Sequence, residues 1–239
     1  MLATVINVIL VLLGSAAGLL FKNLISSRLM AVLTQALGLC VLGVGISSAI
    51  GTQNMLCVIV CMVLGTVLGN AVDIERRLEG AGDLLRARIP KGEETGRFTE
   101  GFVNASLLFC VGAMAITGSI EAGLNHNYEI IVSKGVIDGV TSISFAATMG
   151  IGVAFSVLPL LIYQGGITLL AEWLGPYLPQ AVITEMTAVG GALIIGIAIN
   201  MLGLGRDRIK VGNMLPAMFL PILYLPLAEW ISSLAEKLQ

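Results

Sequence analysis

The sequence predicts an all-α polytopic membrane protein with about eight transmembrane helices. Three observations predict it. Long uncharged runs fill most of the chain: Met1–Phe21, Leu29–Val72, Gly101–Ile120, Gly139–Ala171, Met186–Gly205 and Val211–Ala228. The composition is 56% hydrophobic and 12% charged, with a mean hydropathy of +0.95, which leaves too little polar surface for a water-soluble globule. Finally, 13 of the 28 charged residues sit in the single stretch Asp73 to Glu100. A span needs about 20 mostly apolar residues, and the 239-residue chain has room for eight plus one polar segment.

The first helix, 3–21, opens on MLATVINVIL, which lacks a basic leader, so it is expected to be a retained span rather than a signal peptide. Lys22 and Arg28 separate it from the second, 29–50. The turn cluster Gly51-Thr52-Gln53-Asn54 then divides the second helix from the third, 55–73. In the charged stretch 73–100, Ile74, Leu78, Ala81, Leu84, Leu85 and Ile89 recur at roughly helical spacing. This reads as a charged amphipathic helix or loop that lies on the membrane or extends the third span. The fourth, fifth and sixth helices are expected over 101–121, 128–147 and 151–171. The boundary at Thr148-Met149-Gly150 separates the last two, and merging them gives a seven-span alternative. The seventh covers 182–203 and the eighth 212–235, with Pro216 tolerated in its first turn and Pro221 expected to kink it. The whole chain, 1–239, is thus one transmembrane domain in a lipid bilayer.

Basic residues set orientation. Lys22 and Arg28 lie in the first loop, Arg76, Arg77, Arg86, Arg88, Lys91 and Arg97 in the third, and Arg206, Arg208 and Lys210 in the seventh. Every strongly basic loop is odd-numbered. The expectation is that 73–100 is cytoplasmic and both termini lie outside, with Trp173 and Tyr177 in an aromatic belt.

The chain also resembles itself. Thr34, Gly38, Gly43 and Ile46 align at constant offset with Thr187, Gly191, Gly196 and Ile199, and each set is followed by an Asn-Met-Leu, at Asn54 and at Asn213. On this alignment helices 1–3 correspond to helices 6–8, and the odd offset reverses their direction. Such inverted repeats are common in secondary transporters, where the substrate sits near the midplane at the repeat interface.

Charges stranded in apolar sequence are the main functional clues, because a charge at the bilayer centre costs roughly 2.5–3.5 kcal/mol on insertion scales. Lys134 and Asp138 lie four residues apart on one face of the fifth helix, and Asp138 falls about 15 Å along it at 1.5 Å per residue. Thr141 and Ser142 continue the polar stripe, and Gly135 and Gly139 allow a neighbour to approach. The pair reads either as a solute, proton or cation site or as a self-paired structural bridge. Asn104, Thr187 and Asn213 are further intramembrane candidates, and Glu185 is expected at a wetted position near the outer interface.

Cys40, Cys57, Cys61 and Cys110 lie in apolar runs and read as small buried hydrophobes, and the single His126 argues against a zinc centre. No phosphate-binding loop, nucleophile–base constellation or strong basic cluster is present, so neither ATP hydrolysis, enzymatic activity, a cofactor nor nucleic-acid binding is expected.

The stretches LFCVGAMAITGSIEAG (108–123), SKGVIDGVTSISFA (133–146), TAVGG (187–191) and VGNMLPA (211–217) resemble the domain-of-unknown-function 554 family of bacterial inner-membrane proteins. The resemblance runs nearly end to end and implies a bacterial cytoplasmic-membrane location. It places Lys134, Asp138, Glu121, Thr187 and Asn213 on motif positions and supplies no substrate. The reading at this level is a secondary transporter or permease for a small solute or ion, working as a homo-oligomer with a dimer favoured. A passive channel and a membrane scaffold are the alternatives.

Overall fold

A computed structural model describes residues 1–22, 26–87 and 97–237. All regular elements among them are helical. Long apolar helices run over Leu2–Lys22 (α1), Ser27–Ala49 (α2) and Met55–Val72 (α3). The amphipathic α4, Ile74–Arg86, follows directly on α3 through Asp73, whose left-handed backbone (φ 51°) turns the chain between them. The rest of the charged stretch, 88–96, with Arg88, Ile89 and Lys91, lies outside the described residues.

Two helices, Phe98–Cys110 (α5) and Ala113–Leu124 (α6), occupy the place of the expected fourth span, with a bend of 60° between them. The expected unbroken helix over 101–121 is corrected here. Val111 is extended (φ −84°, ψ 136°) and Gly112 adopts φ +127°, a region open to glycine at little cost. Next come α7 (Glu129–Met149), the single turn α8 (Gly152–Phe155) and α9 (Val157–Leu169). Gly150 at φ +82° ends α7, so the merged helix required by the seven-span alternative does not form. The short α10 (Ala171–Leu174) carries Trp173 against Tyr177, ring centroids 5.9 Å apart and both exposed.

The long α11 spans Gln180–Leu202. The last span is also broken: a 3-10 helix over Val211–Phe219 meets α12 (Pro221–Lys237) at 45°. The expected α-helix from 212 is corrected to a 3-10 start, while the kink expected at Pro221 is present as the 45° bend where Pro221 opens α12. Among the described residues, six helical stretches are long and apolar enough to cross a membrane, and up to eight spans result when each bent pair counts as one.

Small residues line several of the close helix contacts, as expected for helices in lipid. On α3 the buried stripe is Cys57, Cys61, Gly65 and Gly69, whereas Leu56, Ile59, Val63 and Val67 are exposed. Along α1, a Cβ added to Gly14 would lie 2.1 Å from the Gly139 carbonyl oxygen, and one on Gly18 would lie 2.1 Å from that of Ile143. Backbone therefore meets backbone between α1 and α7. The same occurs between Gly45 of α2 and Gly191 of α11, and between Gly69 of α3 and Asn213 of the 3-10 helix.

Candidate functional site

Lys134 and Asp138 stand one turn apart on α7 and form a direct ion pair, with the residues 5% and 7% exposed. Both charged groups are largely buried, so their mutual attraction and their hydrogen bonds must offset desolvation. Asn7 of α1 supplies one such bond: its Nδ2 donates to Asp138 Oδ2 at 3.1 Å and also to Gln164 Oε1 of α9 at 3.1 Å. Glycine at 135 permits this approach, since a Cβ there would meet the Asn7 backbone at 3.1 Å. Asn7 and Gln164 are fully buried, yet Asn7 Oδ1 and Gln164 Nε2 have no partner. The Tyr163 hydroxyl on the same helix also lacks one.

Beside the pair opens a cavity of about 520 Å³. Its polar wall is Lys134, Asp138, Thr141 and Ser144 of α7, Thr187 of α11 and Ser48 of α2. Gly112 and Met114, at the break between α5 and α6, complete one side, and the remaining lining is apolar. Exposed Val44, Ile137 and Val140 also line it, so it opens on the flank of the bundle between α2 and α7.

Four of the sequence candidates, Lys134, Asp138, Thr141 and Thr187, thus share one cavity. The other four lie elsewhere. Ser142 turns away to the α1 seam and donates to the carbonyls of Gly139 (2.7 Å) and Val11 (3.1 Å). Glu121 accepts from Asn125 at 3.0 Å near the end of α6. Buried Asn104 sits with Nδ2 4.0 Å from Met149 Sδ.

Asn213 belongs to a different buried knot. Its Oδ1 accepts from the Glu75 backbone N–H at 2.7 Å, and its Nδ2 donates to Asn70 at 3.4 Å. Gly212 N–H in turn donates to the Glu75 carboxylate at 2.5 Å. The α3–α4 junction is thereby tied to the start of the last span. Burial pushes the Glu75 carboxyl above its ordinary 4.5, against the opposing pull of Gly212 N–H and Arg208. A raised folded-state value means stability that is full below about pH 4.5 and lost as pH rises through the raised range. Thermal unfolding of wild type and Glu75→Gln should therefore show the wild type's relative stability falling from pH 4.5 upward and then levelling. A difference independent of pH would refute this.

Glu185 corrects a sequence expectation. It is 2% exposed rather than wetted, and it accepts from Thr52 Oγ1 (2.6 Å), Gln53 N–H (2.8 Å) and Asn54 N–H (3.1 Å). It caps the turn that starts α3, where Asn54 itself accepts from Cys57 N–H at 3.0 Å. The Cys57 and Cys61 sulfurs lie 3.8 Å apart on the buried stripe of α3.

Apolar spans, small-residue seams and a buried ion pair beside a cavity together define a multi-pass α-helical membrane protein. The chain belongs to the family described as "Protein of unknown function (DUF554)", whose model matches residues 2–225. It is similar to the uncharacterized membrane protein YdfK of Bacillus subtilis (strain 168), 31% identical over 227 residues that cover 92% of this chain and 94% of that protein. It is also similar to the uncharacterized protein YqgA of Escherichia coli (strain K12), 28% identical over 219 residues, or 90% of this chain and 92% of that protein. No solved structure matches the chain.

Proposed function

We propose that this protein is a secondary transporter or permease for a small solute or ion, with its binding site in the cavity beside Lys134 and Asp138. The observation that carries the reading is the cavity itself: about 520 Å³, walled by a buried ion pair and by the break of a membrane span. Broken helices at mid-membrane expose backbone groups that ordinary spans hide, and transporters use them to hold substrates and ions. Asp138 lies nine residues into the 21-residue α7, about 14 Å along it at 1.5 Å per residue, which is mid-span.

The internal repeat supports the same reading. The elements aligned by the repeat, α2 with α11 and α3 with the 3-10 helix, pack against one another, an arrangement compatible with inverted halves. The reading further includes a bacterial inner-membrane location, with the basic loops and α4 cytoplasmic and both termini outside. It also includes a homo-oligomer, with a dimer favoured by the glycine-rich helix faces.

Reconstituted liposomes test the assignment. Asp138→Asn keeps the side-chain volume and can still accept from Asn7. It strands the Lys134 charge, and what folds of it is expected to lose flux. The uncharged double variant Lys134→Met/Asp138→Asn strands none and is expected to keep the fold and lose flux. Wild-type rates from either folded variant would remove the site assignment.

A further inference from the structure

We propose, resting on the transport reading of the same cavity, that its ligand is a small organic monoanion with an apolar body, taken up together with one proton that Asp138 accepts. Charge is the first argument. Lys134 and Asp138 cancel one another in a buried place. An anion that pairs with Lys134 would strand the Asp138 carboxylate, and a cation that pairs with Asp138 would strand the ammonium. Either outcome leaves an uncompensated buried charge. A proton on Asp138 removes the conflict. Lys134 is released, the anion takes the carboxylate's place, and the net charge of the site does not change.

The amides supply the second argument. With Asp138 ionised, Asn7 donates from one nitrogen to Asp138 and to Gln164, leaving Asn7 Oδ1 and Gln164 Nε2 without partners. If both amides turn by half a rotation, Asn7 Oδ1 accepts from Gln164 Nε2 and from a hydroxyl on Asp138. That state makes the same number of bonds, but only a protonated Asp138 can donate. The Gln164–Asn7–Asp138 chain therefore has two arrangements of equal hydrogen-bond count, and the protonation of one carboxyl selects between them.

The cavity wall supplies the third. Gly112 has open space where a Cβ would stand, and it lines the cavity with Met114 at the start of the 12-residue α6. The N-terminal end of α6 favours negative charge in the cavity that Lys134 also lines, and the apolar lining suits a hydrocarbon body. Few other titratable groups face the pair among the described residues. Cys110 of α5 is within electrostatic range of both charges, Tyr163 of α9 stands beside Cys110, and Cys40 of α2 lines the same cavity. From α1 comes Asn7 and from α11 Thr187, neither of which titrates.

The step balances without redox change. A proton from bulk water forms an O–H bond on Asp138, and the Nζ–H contact from Lys134 to Asp138 gives way to one with the anion. Release on the far side reverses both.

Propane-1-sulfonate is the probe, because it stays ionised and cannot itself deliver a proton. Added to the purified protein in weak buffer with a pH dye, it is expected to bind and draw in one proton per bound anion. Asp138→Asn should bind it with no uptake, and Lys134→Gln should not bind it. Asn7→Leu takes a charge-assisted bond from ionised Asp138 and only a neutral one from the protonated form, so the midpoint of the uptake should still move up, by about half a pH unit. That arm, with wild type, decides the matter even if the charge variants fail to fold. Wild type that binds the sulfonate without proton uptake, or that binds tetramethylammonium or propanol in its place, would overturn the proposal. Failure of the transport reading looks different. Proton-coupled anion binding with no flux in liposomes would remove transport and leave this inference. Flux of a cation or neutral solute that Asp138→Asn abolishes, without proton uptake, would do the reverse.

Discussion

Lys134→Met or Asp138→Leu alone is expected to lower stability by about 3–5 kcal/mol, because each leaves the other charge buried and unpaired. The double variant Lys134→Met/Asp138→Leu should recover most of that loss, since two apolar side chains of similar length can fill the same space. Chemical unfolding in mixed micelles of all four proteins gives the cycle directly. Asp138→Leu strands an ammonium whose ion-pair partner is gone, and Lys134→Met strands a carboxylate that still keeps the Asn7 bond. The lysine replacement should therefore be the milder of the two. Additive single effects, with a double variant as unstable as their sum, would show that the charges do not depend on one another. Stability and flux separate cleanly in this cycle, because the double variant is expected to fold and not to transport.

Glu185→Ala is the second large effect. It removes the acceptor for one hydroxyl and two backbone N–H groups at the start of α3, two of them bonded to one carboxylate oxygen. With bonds to charged groups worth about 1.5–3 kcal/mol each and partial rescue by water at this end, a loss of about 3 kcal/mol is expected. Glu185→Gln, which keeps an acceptor oxygen, should lose less than half of that. Amide exchange of Gln53 and Asn54 reads the same contact locally and should accelerate in Glu185→Ala while exchange along α7 stays unchanged. Equal exchange in both variants would mean that the carboxylate does not hold this turn.

The spans were legible because hydropathy alone dictates where a chain can cross lipid, and the predicted boundaries fall close to the helix ends from α1 through α11. The pair at 134 and 138 was legible because four-residue spacing on a helix leaves two opposite charges no nearer partner. The break at Gly112 was not, since Cys-Val-Gly-Ala reads as ordinary small-residue helix, and Val111 there packs against Gly190, a contact distant in sequence. Nor were the partners of Asn7, Glu185 and Asn213. Each bonds across more than a hundred residues of sequence, which no periodicity encodes. Asn7 in particular reads as a lone polar residue in the first span until α7 and α9 are brought against it.

The glycine seam between α1 and α7 carries one mechanical consequence. Gly14 and Gly18 set the two backbones so close that neither helix can slide or roll past the other without a collision of main-chain atoms. The same holds between Gly45 and Gly191 for α2 and α11. The cavity lies in the gap between these two zipped pairs, where α2 and α7 touch only sparingly. On the transport proposal, the motion that admits or releases a ligand is expected to carry each pair as a solid beam, with the cavity as the joint between the beams. The ion pair, fixed to one beam, would travel past the Thr187 hydroxyl fixed to the other.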